Sequence, residues 1–261
     1  MQRRQDLGFW KDLETSLNNL KTDYIDIYQF HNPSFCPKPG DGTGLYEAML
    51  EAKAQGKIHF IGLTNHRLPV AIEACESGLY DTIQFPFSYL ADQKDIDLVN
   101  RCKENNIGFI CMKALSGGLI NRSDAAYAYL AQFDNVLPIW GIQKESELDE
   151  FISYQTKAPE LTQEIQDLIA HDRKELAGDF CRGCGYCMPC PKGIQINQCA
   201  RMSLMLRRAP AASWLNDHWQ AEMKKIEECL NCVKCKQHCP YHLNTPELLK
   251  KNYEDYKTFL K

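Results

Sequence analysis

No apolar run in this 261-residue chain approaches the length of a membrane span, so no membrane-crossing helix is expected. Behind the start, Met1-Gln-Arg-Arg-Gln-Asp, there is no apolar stretch of the kind that marks a secretory signal. Low-complexity segments are absent. Positive charge is not in excess either: 30 Lys and Arg against 34 Asp and Glu leave a net charge of −4, which argues against a nucleic-acid partner. The hydrophobic fraction of 44% and charged fraction of 25% are ordinary for a globular protein, with room for one large domain or two modest ones. Cysteine is the exception to this plainness, with 13 residues.

Eight of these cysteines fall into two runs. The first is Cys181-Arg-Gly-Cys184-Gly-Tyr-Cys187-Met-Pro-Cys190-Pro191, the second Cys229-Leu-Asn-Cys232-Val-Lys-Cys235-Lys-Gln-His-Cys239-Pro240. Three thiolates at two-residue gaps and a fourth before proline are how a chain wraps a cubane iron–sulfur cluster. The gaps let one loop aim three sulfurs at three corners, and Gly183 and Gly185 let the backbone turn without a Cβ clash. In two-cluster ferredoxins the cysteine before proline ligates the other cluster. The expected sets are therefore Cys181, Cys184, Cys187 and Cys239 for one [4Fe–4S] cluster, and Cys190, Cys229, Cys232 and Cys235 for the second. The first run is one residue short between Cys187 and Cys190. Zinc is the remaining alternative, but one zinc needs only four ligands. A disulfide framework suits a small secreted domain instead. Metal-spaced, reduced cysteines without an export signal point to the cytoplasm. Cys36, Cys75, Cys102, Cys111 and Cys199 stand alone and read as small buried hydrophobes.

Along residues 1–160, apolar runs read as buried strands: Tyr24–Phe30, His59–Leu63, Thr82–Phe87, Gly108–Met112 and Val136–Trp140. Helical stretches alternate with them. Leu45–Gln55 ends at Gly56, Pro69–Glu76 has proline in its first turn and Gly78 at its end, and Asp92–Asn105 has apolar residues at helical spacing. Alternation of this kind predicts a parallel sheet, open or closed into a barrel. Polar residues gather just past the strand ends: His31-Asn32, Thr64-Asn65-His66, Lys113 and Ser116-Gly117-Gly118. Parallel α/β folds bind ligands at that edge.

A resemblance then becomes specific. The stretch from Asp12 to Pro33, ending Tyr-Gln-Phe-His-Asn-Pro, resembles the approach to the fourth strand of the aldo/keto reductases. Gly56-Lys-Ile-His-Phe-Ile-Gly-Leu-Thr-Asn65 is similar to their fifth strand, Met112-Lys-Ala-Leu-Ser-Gly-Gly118 to their seventh, and Trp140-Gly-Ile-Gln-Lys-Glu-Ser-Glu-Leu-Asp-Glu150 to their eighth strand and the following helix. One subgroup carries a C-terminal ferredoxin-like extension with Cys-Gly-Tyr-Cys-Met-Pro-Cys-Pro, much as at 184–191 here.

The resemblance implies an α/β fold: an incomplete (β/α)8 TIM-like barrel of about five strand–helix units over 1–160, then a mainly helical 4Fe–4S ferredoxin-like module over 161–261. Family members reduce carbonyls with a nicotinamide cofactor through a tyrosine, a lysine, an aspartate and a histidine. Only the histidine has a match, His31, because the other three lie on strand–helix units that precede this stretch. The resemblance implies NAD(P) contacts from Thr64, Asn65 and Gln84 to the nicotinamide amide, and from Ser116, Gly117 and Gly118 near the pyrophosphate. Where the family presents basic residues to a 2′-phosphate, Lys144 is the only cation in Gln143-Lys144-Glu145.

From Thr162 onward the pattern turns helical. Thr162–Leu176 ends before Gly178, and Asn197–Arg208, Ser213–Glu228 and Thr245–Leu260 follow. Basic residues Arg182, Lys192, Lys234 and Lys236 flank the cysteine runs, where cations favour the reduced state of an anionic cluster. The expected function is an iron–sulfur electron-transfer oxidoreductase with carbonyl reduction impaired. It would be served by a redox partner protein or a flavin or nicotinamide donor. The alternatives are a piece of a complete reductase, its missing strands supplied by another chain, and a module in which the clusters serve only structure.

Overall fold

The computed structural model describes residues 2–176, 180–208 and 211–260. Their packing forms two compact units. The first comprises Met1–Pro86, Ala91–Met112 and Phe133–Ile139; the second comprises Phe87–Leu90, Lys113–Gln132 and Trp140–Lys261.

The first unit contains α1 (Gln2–Leu20), β1 (Ile25–His31), α2 (Leu45–Ala54), β2 (Ile58–Thr64), α3 (Leu68–Glu76), β3 (Thr82–Pro86), α4 (Gln93–Glu104), β4 (Gly108–Met112) and β5 (Val136–Pro138). The five strands are all parallel, in the order β1-β2-β3-β4-β5. Local chemistry sets the helix ends. Asp92 caps α4, its Oδ1 accepting from the N–H of Lys94 at 2.9 Å and of Asp95 at 3.1 Å. Gly56 closes α2 in the left-handed region, at φ 72°. The third strand stops at Pro86 rather than at Phe87, and the fifth at Pro138 rather than at Trp140. A proline has no N–H to continue a ladder.

Several pairs of strand residues two apart are buried together. Ile61 and Leu63, Ile83 and Phe85, Phe109 and Cys111 are buried. In register, Phe30, Leu63, Ile83, Phe109 and Val136 form one row across the sheet. The other face carries the row His31, Thr64, Gln84, Ile110 and Leu137. That face is open: Phe60 is 49% exposed and Leu137 64%. Among the described residues, strands β1 and β5 each pair on one side only, so the sheet is an open arc, an incomplete barrel.

The second unit contains α5 (Ser123–Leu130), α6 (Glu145–Ser153), α7 (Gln163–Glu175), α8 (Ile196–Cys199), α9 (Met202–Arg208), α10 (Asp217–Lys224), α11 (Lys234–Gln237) and α12 (Thr245–Thr258). Thr162 caps α7, accepting from the Ile165 N–H. Gly178, expected past its end, lies outside the described residues.

Two expected helices are broken. The stretch from Asn197 to Arg208 divides at Ala200–Arg201 because Asn252 of α12 takes over the helix's own hydrogen bonds. The Asn252 Oδ1 accepts from the Ser203 N–H at 2.8 Å, and its Nδ2 donates to the Ala200 carbonyl at 3.2 Å. The stretch from Ser213 to Glu228 is interrupted where Asn216 starts α10 by accepting from the Trp219 N–H at 3.1 Å. The core of this unit gathers Ile194, Ile196, Met202, Leu206, Met223, Ile226, Leu249 and Tyr256. Among the described residues no helix is long and apolar enough to cross a membrane.

Candidate metal centre

The two cysteine runs of the second unit interleave. One space of about 350 Å³ is bordered by Cys181, Cys184, Cys187 and Cys239, with Tyr241 and Leu243 beside them. Another, of about 420 Å³, is bordered by Cys190, Cys229, Cys232 and Cys235, with Ile194, Ile196 and Leu249 at its back and Cys187 also on its wall. Each space thus takes three cysteines from one run and is completed from the other, by Cys239 at the first and by Cys190, with Cys187, at the second. The crossing is possible because Pro191 and Pro240 follow the fourth cysteines directly, and because Gly183 and Gly185 turn at φ 66° and 85°. All eight are free thiols, which is a soft donor set of the kind that iron–sulfur clusters take.

Electrostatics follows the crowding of the thiols. Burial pushes the Cys181 thiol up, with Cys184 and Cys239 adding to it. Burial likewise raises Cys187, to about 12, with Cys181, Cys184 and Cys235 adding. Burial also raises Cys235, helped by Cys229 and Cys232. Crowded thiols that resist ionisation are groups whose charge a metal has to offset.

The cations differ between the two spaces. Arg182 stacks on Phe180 at 4.8 Å and on Tyr241 at 4.4 Å, beside the first. Lys113 acts on Cys184, and Arg201 on Cys181. The second is bordered by Lys192 and Lys234, both exposed. The sequence pattern placed Lys113 at the strand-end site and gave no signal for Arg201, because neither adjoins a cysteine run.

The residues expected to hold a dinucleotide are otherwise engaged. In the first unit, Gln84 Oε1 accepts from Gln29 Nε2 at 3.0 Å. The Asn65 amide donates to the Pro33 carbonyl at 2.8 Å and accepts from the Arg67 N–H at 2.8 Å. Thr64 is buried, and His31 is exposed at the end of β1. In the second unit, the N–H groups of Ser116 and Gly118 close turns onto Lys113 and Leu115, at 2.6 and 2.9 Å. The Gly117 carbonyl accepts from Arg201. A pyrophosphate needs free donors, and the Ser116 and Gly118 N–H groups are spent within this loop. The eight cysteines fit two iron–sulfur clusters.

Fold and site define an α/β protein of reductase-barrel type joined to an iron–sulfur module. More particularly, residues 4–127 match the model of the aldo/keto reductase family, and residues 180–244 match the 4Fe-4S dicluster domain. Among similar proteins, methylglyoxal reductase DkgB of Salmonella typhi is 39% identical over 92 residues, which is 33% of this chain and 33% of that protein. Aldo-keto reductase YhdN of Bacillus subtilis is 31% identical over 110 residues, 42% of this chain and 32% of that one. The chain thus spans about a third of the length of these curated relatives. The holo form of aldo-keto reductase AKR11C1 from Bacillus halodurans shares the fold, with a TM-score of 0.54 at 21% identity over 64% of this chain and 67% of that one.

Proposed function

We propose that this protein is an iron–sulfur electron carrier, with one cubane on Cys181, Cys184, Cys187 and Cys239 and a second on Cys190, Cys229, Cys232 and Cys235. The observation that carries this reading is the crosswise lining of two separate spaces by two sequence runs. Bound clusters supply reversible one-electron chemistry. The chain's residues do the rest. Cys187 borders both spaces and links them. Cys232 is exposed, with Leu230 and Val233 exposed beside it, so a redox partner protein or a flavin or nicotinamide donor reaches the second site there.

Carbonyl reduction is not part of the proposal. A carbonyl oxygen that receives a hydride needs a proton donor as charge develops. Of the family's four residues only the histidine has a match in these 261 residues, His31. The dinucleotide contacts expected of Asn65, Gln84 and Gly117 are engaged internally.

The test is an anaerobic preparation with iron and sulfide counted per chain and EPR recorded before and after dithionite. About eight irons, reversibly reduced, are expected. A colourless or zinc-loaded protein defeats the reading, and irons that cannot be reduced leave a purely structural role. NADPH oxidation with a panel of aldehydes is expected to show no turnover.

A second reading rests on the open sheet face. Phe60 and Leu137 lie on the side that a closed barrel buries. Further strands, from a longer chain or a partner chain, would close it and supply the missing catalytic residues. Protection of this face from hydrogen exchange on adding such a chain would favour that reading.

A further inference from the structure

We propose that Arg201 is the fixed positive charge of the first cluster site, positioned to raise the reduction potential of the cluster on Cys181, Cys184, Cys187 and Cys239. This inference rests on the two-cluster reading. Arg201 is only 5% exposed. Its Nη2 donates to the Gly117 carbonyl at 2.7 Å and reaches the Ser116 carbonyl at 3.5 Å. Its Nε is buried and has no hydrogen-bond partner. Among the described residues no carboxylate acts on it, and Gly183 of the first cysteine run lies against its guanidinium.

The seat is built for this side chain. A Cβ on Gly183 would stand 2.5 Å from Nη1, and one on Gly117 would stand 2.9 Å from it. One glycine belongs to the first cysteine run and the other to the loop after β4, so the guanidinium is clamped between them. The break between α8 and α9 falls at Ala200–Arg201. Burying a cation with no counter-ion is unfavourable, and an anionic thiolate cluster is the counter-ion this site would hold. Arginine suits the role because it stays charged when buried and its planar fork reaches carbonyls. The effect is confined to one cluster. The lysines at the second space are exposed, where water and salt screen them.

The experiment compares wild type, R201K, R201Q and G117A as anaerobically reconstituted full-length protein, with iron counts and EPR-monitored redox titration. R201Q is expected to lower the midpoint of one cluster and leave the other unchanged, with R201K closer to wild type. In G117A the new Cβ displaces the guanidinium without deleting its charge, and the same cluster should shift in the same direction. Should R201Q lose the iron of one site, the midpoints of fully loaded R201K and G117A carry the result. Should R201Q not fold, G117A and R201K carry the result. Unchanged midpoints in every fully loaded variant overturn the proposal. Wild type with few irons would instead mean that the two-cluster reading has failed.

Discussion

Gln29 Nε2 donates to Gln84 Oε1 at 3.0 Å across the sheet, and the contact passes over Gly62. A Cβ at Gly62 would lie 2.3 Å from Thr82 Oγ1 and 2.8 Å from Gln29 Cγ. G62A should therefore destabilise the sheet by about 1–3 kcal/mol, the range for overpacking a filled site. Chemical denaturation read out by circular dichroism measures it. Wild-type stability would mean that both neighbours swing aside freely.

The proposed crossed ligand sets make an unusual demand on single variants. C239S removes a cysteine of the second run but should abolish the cluster built mainly by the first. C190S should do the converse. Each is expected to keep about four irons per chain, with complementary EPR spectra. If C239S instead abolished the signal that C229S abolishes, the ligands would not be crossed.

Cys199 is a buried cysteine outside the two runs. Burial, with Glu222 adding to it, raises its thiol from 9.0 to about 12. Because the folded value lies above the unfolded one, its stabilising contribution is complete below pH 9 and is lost as pH rises toward 12. C199A should lack this loss, so the stability gap between wild type and C199A narrows above pH 9 by at most about 1.4 kcal/mol per pH unit. Denaturation curves at several alkaline pH values check it, and a constant gap refutes it.

Much of the strand and helix pattern could be read from residue order, because its causes are local. Period-two burial at Ile83 and Phe85, the cap at Asp92 and the turn at Gly56 each depend on a few neighbouring residues. Where a distant residue intervened, the local pattern misled. The apolar stripe through Met202 and Leu206 suggests one helix from Asn197. Asn252, about fifty positions on, takes its hydrogen bonds and splits it.

The sequence by itself determined the chemistry of the cluster site: eight thiols, their spacing and the prolines that redirect the fourth of each run. Ligand identity and spacing are properties of short loops, so no folding was needed to see them. Only the tertiary structure decided the surroundings. It brought Arg201 between Gly117 and Gly183 and left the face bearing Phe60 and Leu137 uncovered. Burial and the meeting of distant segments depend on how the whole chain packs, and residue order alone does not show them.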